Sequence, residues 1–228
     1  LHLCDRRQRQ MCIRDRFTAL IAVCVMVVCL GIGSFRGVIA GAPDVNDVDI
    51  SPLGYATFLY DDQGTQIRQL SAPTSNRLPV SLDQIPVSLQ HAVVAIEDER
   101  FYEHNGIDVR GIARAGMKAI TTGNFSEGAS TITQQLVKNM YYDQNKTLAR
   151  KAAEAWTALY VERQLSKEEI LELYINTIYF GDGYYGLKEA SLGYFGKEPQ
   201  ELTDSEAVLL AGIPNAPSAY APSRNADL

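Results

Sequence analysis

The chain has 228 residues, a formal net charge of −6 and 46% hydrophobic residues, enough for one folded domain with an appendage. Its negative net charge argues against a nucleic-acid-binding protein. All four cysteines lie within the first thirty residues, so the rest of the sequence can form neither a disulfide nor a zinc–thiolate site, which suits an extracytoplasmic domain.

The N-terminus divides into a basic stretch and an apolar stretch. Residues 1–16 resemble the translation of a sequencing adapter and are interpreted as foreign to the fold, with a natural basic tail as the alternative. Residues 17–35 carry no charge, and a helix of that length spans about 28 Å, close to the bilayer core. We predict a retained transmembrane anchor there, with a cleaved signal peptide as the alternative, and a linker over 36–53.

The remaining segment, 54–228, is predicted to be one domain. Residues 55–60 and 65–70 flank a turn signal and predict a small β-hairpin. From residue 86 onward the pattern is helical almost throughout. Two capping boxes, Ser166-Lys-Glu-Glu169 and Thr203-Asp-Ser-Glu206, mark helix starts. The fold class is therefore mostly α, with one hairpin near the linker.

Three consecutive acids, Glu97, Asp98 and Glu99, follow an apolar run that predicts a helix ending near residue 96. Its buried face is predicted to hold Leu89, Val93 and Ile96. Acids gathered at the C-terminal end of a helix are repelled by one another and by the negative end of the helix dipole. Enzymes use such surroundings to prepare a carboxylate as a general base, and we predict that role here. A solvated acidic helix end is the alternative.

A second polar stretch runs from Gly128 to Asn139. Ser130 is predicted to cap a helix there, and the apolar positions of this helix recur at helical spacing: Ile132, Leu136 and Met140. A second face offers a hydroxyl, an amide and an ammonium: Thr131, Gln135 and Lys138. This set, beginning at a helix N-terminus and containing no acid, favours a phosphate-binding surface over an ordinary solvated face.

A third stretch predicts a helix whose buried stripe would be Leu148, Ala152, Ala155 and Leu159. Arg150 and Glu154 are four residues apart, and a surface salt bridge is one interpretation of this pair. The basic residue precedes the acid, however, which is the weaker orientation for a helix pair. Four cations fall within fourteen residues and indicate a pyrophosphate clamp instead: Lys138, Lys146, Arg150 and Lys151.

These stretches, taken in order, resemble the motifs of peptidoglycan glycosyltransferases, the polymerase domains of class A penicillin-binding proteins and of their monofunctional relatives. The resemblance runs from about Tyr55 to the end of the chain. The motifs that carry it are Glu97-Asp-x-x-Phe-x-x-His-x-Gly106, Gly128-x-Ser-Thr-Ile-Thr-Gln-Gln-Leu-x-Lys-Asn139, Arg150-Lys-x-x-Glu154 and Ile170-Leu-Glu-Leu-Tyr-Ile-Asn176.

The resemblance implies a lysozyme-like α fold on a single-pass anchor in a bacterial cell membrane, with the catalytic domain outside the cytoplasm and a membrane-facing jaw. Glu97 would be the base that deprotonates the 4-hydroxyl of the acceptor sugar in lipid II. Inverting attack would form a β-1,4 link and release undecaprenyl diphosphate. Glu154 would be a second catalytic residue that holds a divalent cation (Mg or Mn) or orients cations at the diphosphate.

The resemblance also implies a set of substrate-binding residues: Asp98, Phe101, His104, Ser130, Thr131, Gln135, Lys138, Asn139, Lys146, Arg150 and Lys151. No organic cofactor is expected, and the expected partners are lipid II, the growing glycan chain, the membrane and cell-wall synthesis machinery. Lys146 stands where similar enzymes often have arginine. The sequence has no Ser-x-x-Lys transpeptidase motif, and we expect the last helix of the domain to lie beyond Leu228.

Two other classes of function stay open at this point. A muramidase-like hydrolase of related fold needs a protonated carboxyl on the leaving-group side. A diphosphate is already a good leaving group and needs only positive charge or a metal. One acid cluster and one cationic cluster therefore favour a transferase. The third possibility is a membrane-anchored scaffold with a dead site, against which the intact set of Glu97, Lys138 and Glu154 argues.

Overall fold

The computed structural model describes residues 2–39, 56–70, 76–123, 128–142 and 147–224. Over these residues the chain is mostly helical, with short 3₁₀ turns between several helices. The helices are α1 (His2–Ile39), α2 (Val87–Glu97), α3 (Val109–Thr122), α4 (Ile132–Tyr141), α5 (Leu148–Gln164), α6 (Lys167–Thr177), α7 (Leu187–Phe195), α8 (Asp204–Gly212) and α9 (Pro217–Tyr220). This composition confirms the mostly α fold class.

The first helix, α1, is one continuous helix that includes both the basic stretch and the apolar stretch. Its segment Arg14–Gly33 has a mean hydropathy of 2.3 and is long and apolar enough to cross a membrane. The predicted linker begins too early, because residues 36–39 still belong to α1. Its residues 40–53 lie outside the described part of the chain. The foreign origin of residues 1–16 stays a prediction.

The predicted hairpin is confirmed as two antiparallel strands, β1 (Thr57–Tyr60) and β2 (Gln66–Leu70). A β-bulge interrupts the register between Leu59 and Tyr60. The turn is tied by the Asp61 carboxylate, which accepts the backbone N–H groups of Gln63 and Thr65. These backbone donors lower the pKa of Asp61.

The core is organised around α4, which packs against both α5 and α6, while α2 packs against α8. Ile132, Leu136 and Val137 of α4 are buried within it. The helix α2 ends at Glu97, as the acidic cluster predicts. Its buried face is confirmed for Leu89 and Val93 but wrong for Ile96, which is 42% exposed because it lies in the last turn beside a cleft.

Capping boxes set the starts of three of the α-helices: α4, α6 and α8. The boxes at Ser166 and Thr203 are confirmed, each with its reciprocal side-chain and backbone hydrogen bonds. The predicted cap of α4 is wrong by one residue. Thr131, rather than Ser130, accepts the backbone N–H of Gln134, and the Gln134 side chain bonds back to the backbone of Thr131. The sequence Thr-x-x-Gln carried that signal, since it is itself a capping box.

The predicted buried stripe of α5 is also wrong. Leu148 is 91% exposed, whereas the face turned toward the protein carries the following residues: Ala153, Glu154, Thr157, Ala158 and Val161. Two of these residues are polar, so hydrophobic periodicity alone selects the wrong side of the helix. The polar residues are buried because they face the side chains of α4 and its flanks.

Candidate active site

The carboxylate of Glu97 lies at the C-terminal end of α2 and is half-buried. Its Oε2 accepts a hydrogen bond of 2.6 Å from Nε2 of Gln135 on α4. The oxygen of the same Gln135 amide, Oε1, lies 3.4 Å from the hydroxyl of Tyr174 on α6 and accepts its hydrogen bond. The predicted base and the amide of the predicted phosphate-binding face are therefore in direct contact, and Tyr174 stands behind them.

The adjacent Asp98 fixes the loop that carries the base. Its buried carboxylate lies 3.0 Å from Nε2 of His104 and accepts the backbone N–H of Ile132 at 3.0 Å. The second bond is made to the first residue of α4, where the helix dipole favours a negative charge. Asp98 thus joins the end of α2 to the start of α4 and sets the spacing between Glu97 and Gln135.

Phe101 and His104 complete the inside of this loop. Phe101 has no solvent exposure, and its ring packs edge-on against His104 at 6.5 Å and beneath the ammonium of Lys167 at 4.3 Å. Together with Asp98, these residues shape the loop that follows the base. The sequence motif predicts their position in the site, and the structure buries Phe101 completely while Asp98 lines the acid cleft.

The motif ends at Gly106, which packs directly on α5. Its φ is +85°, and a Cβ there would lie 2.9 Å from the carbonyl oxygen of Ala158. The carbonyl oxygen of Gly106 accepts a 2.7 Å hydrogen bond from the buried hydroxyl of Thr131. The same hydroxyl oxygen caps α4, so the loop and the helix start are held together at a second point.

The polar face of α4 continues from Gln135 to Lys138 and Asn139, which are half-buried and exposed respectively. Burial lowers the pKa of the Lys138 ammonium, Glu154 raises it, Lys151 and Arg150 lower it, and Glu97 raises it. Lys138 therefore lies within electrostatic reach of both predicted catalytic carboxylates. A partly desolvated ammonium beside other cations is stabilised by an incoming anion.

A cluster of opposite charges is built on the first turns of α5. The side chain of Glu154 has no solvent exposure, and its Oε1 forms a close ion pair with Arg150. Lys151 Nζ lies 3.2 Å from the other oxygen of Glu154 and donates a 2.6 Å hydrogen bond to Ser130. A salt bridge is therefore present, but it is anchored in the core rather than spread on the surface.

Two residues that the sequence analysis did not single out support this cluster. The hydroxyls of Tyr142 and Thr157 lie 3.0 Å apart, between α4 and α5. Burial raises the pKa of Tyr142, its bond to Thr157 lowers it, and the nearby charge of Glu154 raises it. The available signal was the unusual polar residue, Thr157, on the same face as Glu154.

Two openings flank the polar face of α4. The acid cleft, of about 250 Å³, is lined by Glu97, Arg100, Asp108, Arg114, Ser130 and Thr131, among others. The tyrosine cavity, of about 310 Å³, is lined by Arg77, Gln135, Lys138, Tyr174, Tyr179 and Tyr185, among others. The hydrogen bond between Glu97 and Gln135 joins a residue of one opening to a residue of the other.

A divalent cation at Glu154 would need further ligands beside this carboxylate. Among the residues for which coordinates are described, no group of three or more His, Cys, Asp or Glu side chains is placed to hold a metal ion. Both oxygens of Glu154 already face cations, Arg150 and Lys151. These side chains by themselves do not fit a Mg or Mn ion, and we derive no step through one. Their geometry supports orientation of cations instead.

The structure thus brings most predicted site residues together around α4. Glu97 contacts Gln135, Lys138 lies within electrostatic reach of Glu97 and Glu154, and the charge cluster contains Ser130, Arg150 and Lys151. Asp98, Phe101 and His104 lie beneath the loop, and Thr131 caps the helix. Lys146 lies outside the described residues, so its place in the cation cluster stays a prediction.

A carboxylate beside preorganised cations suits a reaction in which a base removes a proton while negative charge develops nearby. The chain belongs to the transglycosylase family, since the family model described as Transglycosylase matches residues 63–228. It is therefore a glycosyltransferase domain of the kind carried by class A penicillin-binding proteins, as the motifs indicate.

The chain is also similar in sequence to penicillin-binding proteins, which agrees with its membership of this family. The chain is 46% identical to penicillin-binding protein 1F of Bacillus subtilis over 169 residues, 74% of this chain and 23% of that protein. It is 41% identical to penicillin-binding protein 1A of Escherichia coli over 214 residues, 93% of this chain and 25% of that protein. The chain therefore spans about a quarter of the length of these relatives.

Proposed function

We propose that this chain is the catalytic domain of a membrane-anchored peptidoglycan glycosyltransferase that polymerises lipid II into β-1,4-linked glycan strands. The anchor would be α1 in a bacterial cell membrane, with the catalytic domain outside the cytoplasm and cell-wall synthesis proteins as neighbours. The observation that carries the proposal is that Glu97 contacts the α4 polar face at Gln135, while Lys138 of the same face lies within electrostatic reach of Arg150 and Lys151.

The first chemical step assigned to the chain is proton removal. Oε2 of Glu97 is occupied by the Gln135 amide, which leaves Oε1 to accept the proton of the acceptor 4-hydroxyl. That hydroxyl oxygen then forms a bond to C1 of the donor sugar, and the bond from C1 to the diphosphate oxygen breaks. Attack from the face opposite the leaving group inverts the configuration at C1 and gives the β link.

The second task is to stabilise the diphosphate as it leaves with its undecaprenyl chain. Lys138 is partly desolvated and flanked by Lys151 and Arg150, so negative charge that develops there is met by cations already in position. Glu154, fully buried against Arg150 and Lys151, positions these two cations. The divalent cation that the resemblance implies stays a prediction, and Glu154, already paired with two cations, does not supply its site by itself.

The hydrolase alternative is not favoured by any contact in the described residues. A glycosidase requires a second carboxyl that reaches the leaving-group oxygen as a proton donor. Glu154 is the candidate for that role, but its side chain has no exposure and lies against two cations. It cannot reach a sugar oxygen in this conformation.

The test is polymerisation of lipid II by the detergent-solubilised protein and its Glu97→Gln variant. Glutamine keeps the shape of the site but cannot accept a proton, so we expect polymerisation to fall by ~10²–10⁴ while lipid II binding survives. Glu103→Gln is the matched control, because Glu103 lies in the same loop with its side chain 64% exposed. Wild-type protein should release undecaprenyl diphosphate and leave mature peptidoglycan intact.

Two results would contradict the proposal. Near-normal polymerisation by Glu97→Gln would remove the base from the mechanism. Cleavage of mature glycan by the wild-type protein, without polymerisation of lipid II, would replace the transferase by a hydrolase.

A further inference from the structure

We propose that Tyr174 is a positioning residue for the base: its buried hydroxyl holds the Gln135 amide so that Nε2 donates to Glu97. The inference rests on the proposed function, since it takes Glu97 as the general base. Tyr174 is 1% exposed and lines the tyrosine cavity together with Gln135. Its effect would pass entirely through Gln135.

The polarity of this chain of hydrogen bonds follows from the groups themselves. An ionised carboxylate only accepts hydrogen bonds, so the amide nitrogen of Gln135 must face Glu97, at 2.6 Å. The amide oxygen then faces Tyr174, whose hydroxyl donates to it across 3.4 Å. Donation to the carbonyl end of an amide strengthens donation by its N–H end, because linked hydrogen bonds polarise one another.

Removal of the Tyr174 hydroxyl would leave the amide oxygen of Gln135 against a buried apolar ring. A buried carbonyl without a donor is unfavourable, and Gln135 also lines the tyrosine cavity, where water is accessible. The amide would rotate toward that cavity to find a donor. Glu97 would then lose the hydrogen bond that stabilises its charged form, and its free oxygen would lose a fixed direction.

Several charged groups lie around Glu97, whereas the Tyr174 hydroxyl is neutral. Those that share the acid cleft with Glu97 or lie within its electrostatic reach are Asp98, Glu99, Arg100, Asp108, Arg114 and Lys138. Burial raises the pKa of Tyr174 well above its usual range, and Glu97 and Asp98 raise it further. Tyr174 therefore stays neutral, and Tyr174→Phe changes no formal charge. A shift in the pH profile would report the lost hydrogen bond.

The experiment measures lipid II polymerisation by the detergent-solubilised protein across pH for wild type and Tyr174→Phe. A carboxylate that loses a hydrogen-bond donor becomes protonated more readily. We expect the acid limb of kcat/KM to move upward by roughly half to one pH unit, kcat on the plateau to fall roughly 3- to 10-fold, and KM to stay unchanged. The matched control is Tyr194→Phe, whose hydroxyl donates to the carbonyl of Phe180 at 2.9 Å, away from the site.

A double-mutant cycle separates positioning from general packing. Gln135→Leu removes the amide and should shift the acid limb at least as far as Tyr174→Phe does. Adding Tyr174→Phe to Gln135→Leu should then have no further effect on the limb, because both act through one hydrogen bond. Additive shifts, or an unshifted limb in Tyr174→Phe, would overturn the inference.

A second variant covers the case in which Tyr174→Phe unfolds the domain. Incorporation of 3-fluorotyrosine at position 174 keeps the ring and makes its O–H a stronger donor. The acid limb of kcat/KM should then move to lower pH, and an unmoved limb contradicts the inference.

The Glu97→Gln variant distinguishes failure of the proposed function from failure of the inference about Tyr174. If Glu97→Gln polymerises normally, the proposed function loses its base. If it is inactive while Tyr174→Phe keeps the wild-type profile, only the role of Tyr174 is wrong.

Discussion

Gly106→Ala offers a direct test of how tightly the loop of the base is packed on α5. The backbone there has φ of +85°, and the missing Cβ would lie 2.9 Å from the Ala158 carbonyl oxygen and 3.1 Å from the Cγ of Glu162. Gly123 is the matched control. It also has positive φ, at +68°, but a Cβ there would meet nothing within 4 Å.

The magnitude follows from separating the two costs. A left-handed backbone costs an alanine about 1–2 kcal/mol, and this cost is common to both sites. Reduced freedom of the unfolded chain offsets about 0.4–1 kcal/mol of it in each case. Gly106→Ala adds a steric cost of about 1–3 kcal/mol, because the contacted atom is backbone and cannot turn aside. We therefore expect a loss of about 1 kcal/mol for Gly123→Ala and about 2–4 kcal/mol for Gly106→Ala.

The assay is thermal or denaturant unfolding of the detergent-solubilised protein, with lipid II polymerisation measured in parallel. Gly106→Ala should also lower activity, because displacement of the loop disturbs the hydrogen bond from Thr131 to the Gly106 carbonyl. Gly123→Ala should keep normal activity. Equal losses of stability at the two positions would refute the close packing of Gly106 on α5.

Three further predictions concern charge. Lys138→Ala should reduce turnover by ~10² or more, because one preorganised donor to developing charge is worth roughly 3 kcal/mol. Near-normal turnover would mean that the polar face of α4 is an ordinary solvated surface. Lys146→Arg should be neutral or slightly activating, since a planar guanidinium suits a diphosphate, and a large loss of turnover would contradict a phosphate contact. Lys197 and the capped backbone of Thr203 lower the pKa of Glu206 to about 2. This carboxylate therefore contributes stability above its unfolded pKa of about 4.5 and loses it as the pH falls toward 2. Glu206→Gln should remove that part of the pH dependence, and an unchanged acid unfolding curve would contradict it.

Local signals predict the local structure of this chain well. The hairpin, the end of α2 at Glu97 and the capping boxes at Ser166 and Thr203 all follow from residues within a few positions of each other. The cap of α4 was predicted one residue too early, but the correct signal, a capping box that begins at Thr131, is also present in the sequence. Such features depend on hydrogen bonds that the chain makes with its nearest neighbours, so they can be inferred without knowing the fold.

Long-range features of the site could not be inferred in this way. Tyr174 is 39 positions from Gln135 in the sequence, so a pattern of buried core residues assigns it to the core and gives no sign of its hydrogen bond. Its hydroxyl reaches Gln135 only because α6 packs on α4. The burial of Glu154 could not be predicted either, because a charged residue of an amphipathic helix is normally assigned to the solvent-exposed side. It is buried here because Arg150 and Lys151 accompany it. Residue types in the sequence indicated which side chains carry charge, whereas packing decides which of them line the openings and which are buried.

The hydrogen bond between Glu97 and Gln135 has one more consequence. It links a residue that lines the acid cleft to a residue that lines the tyrosine cavity. Because this contact is made by two side chains, a change of rotamer at either one breaks the link without displacement of any helix.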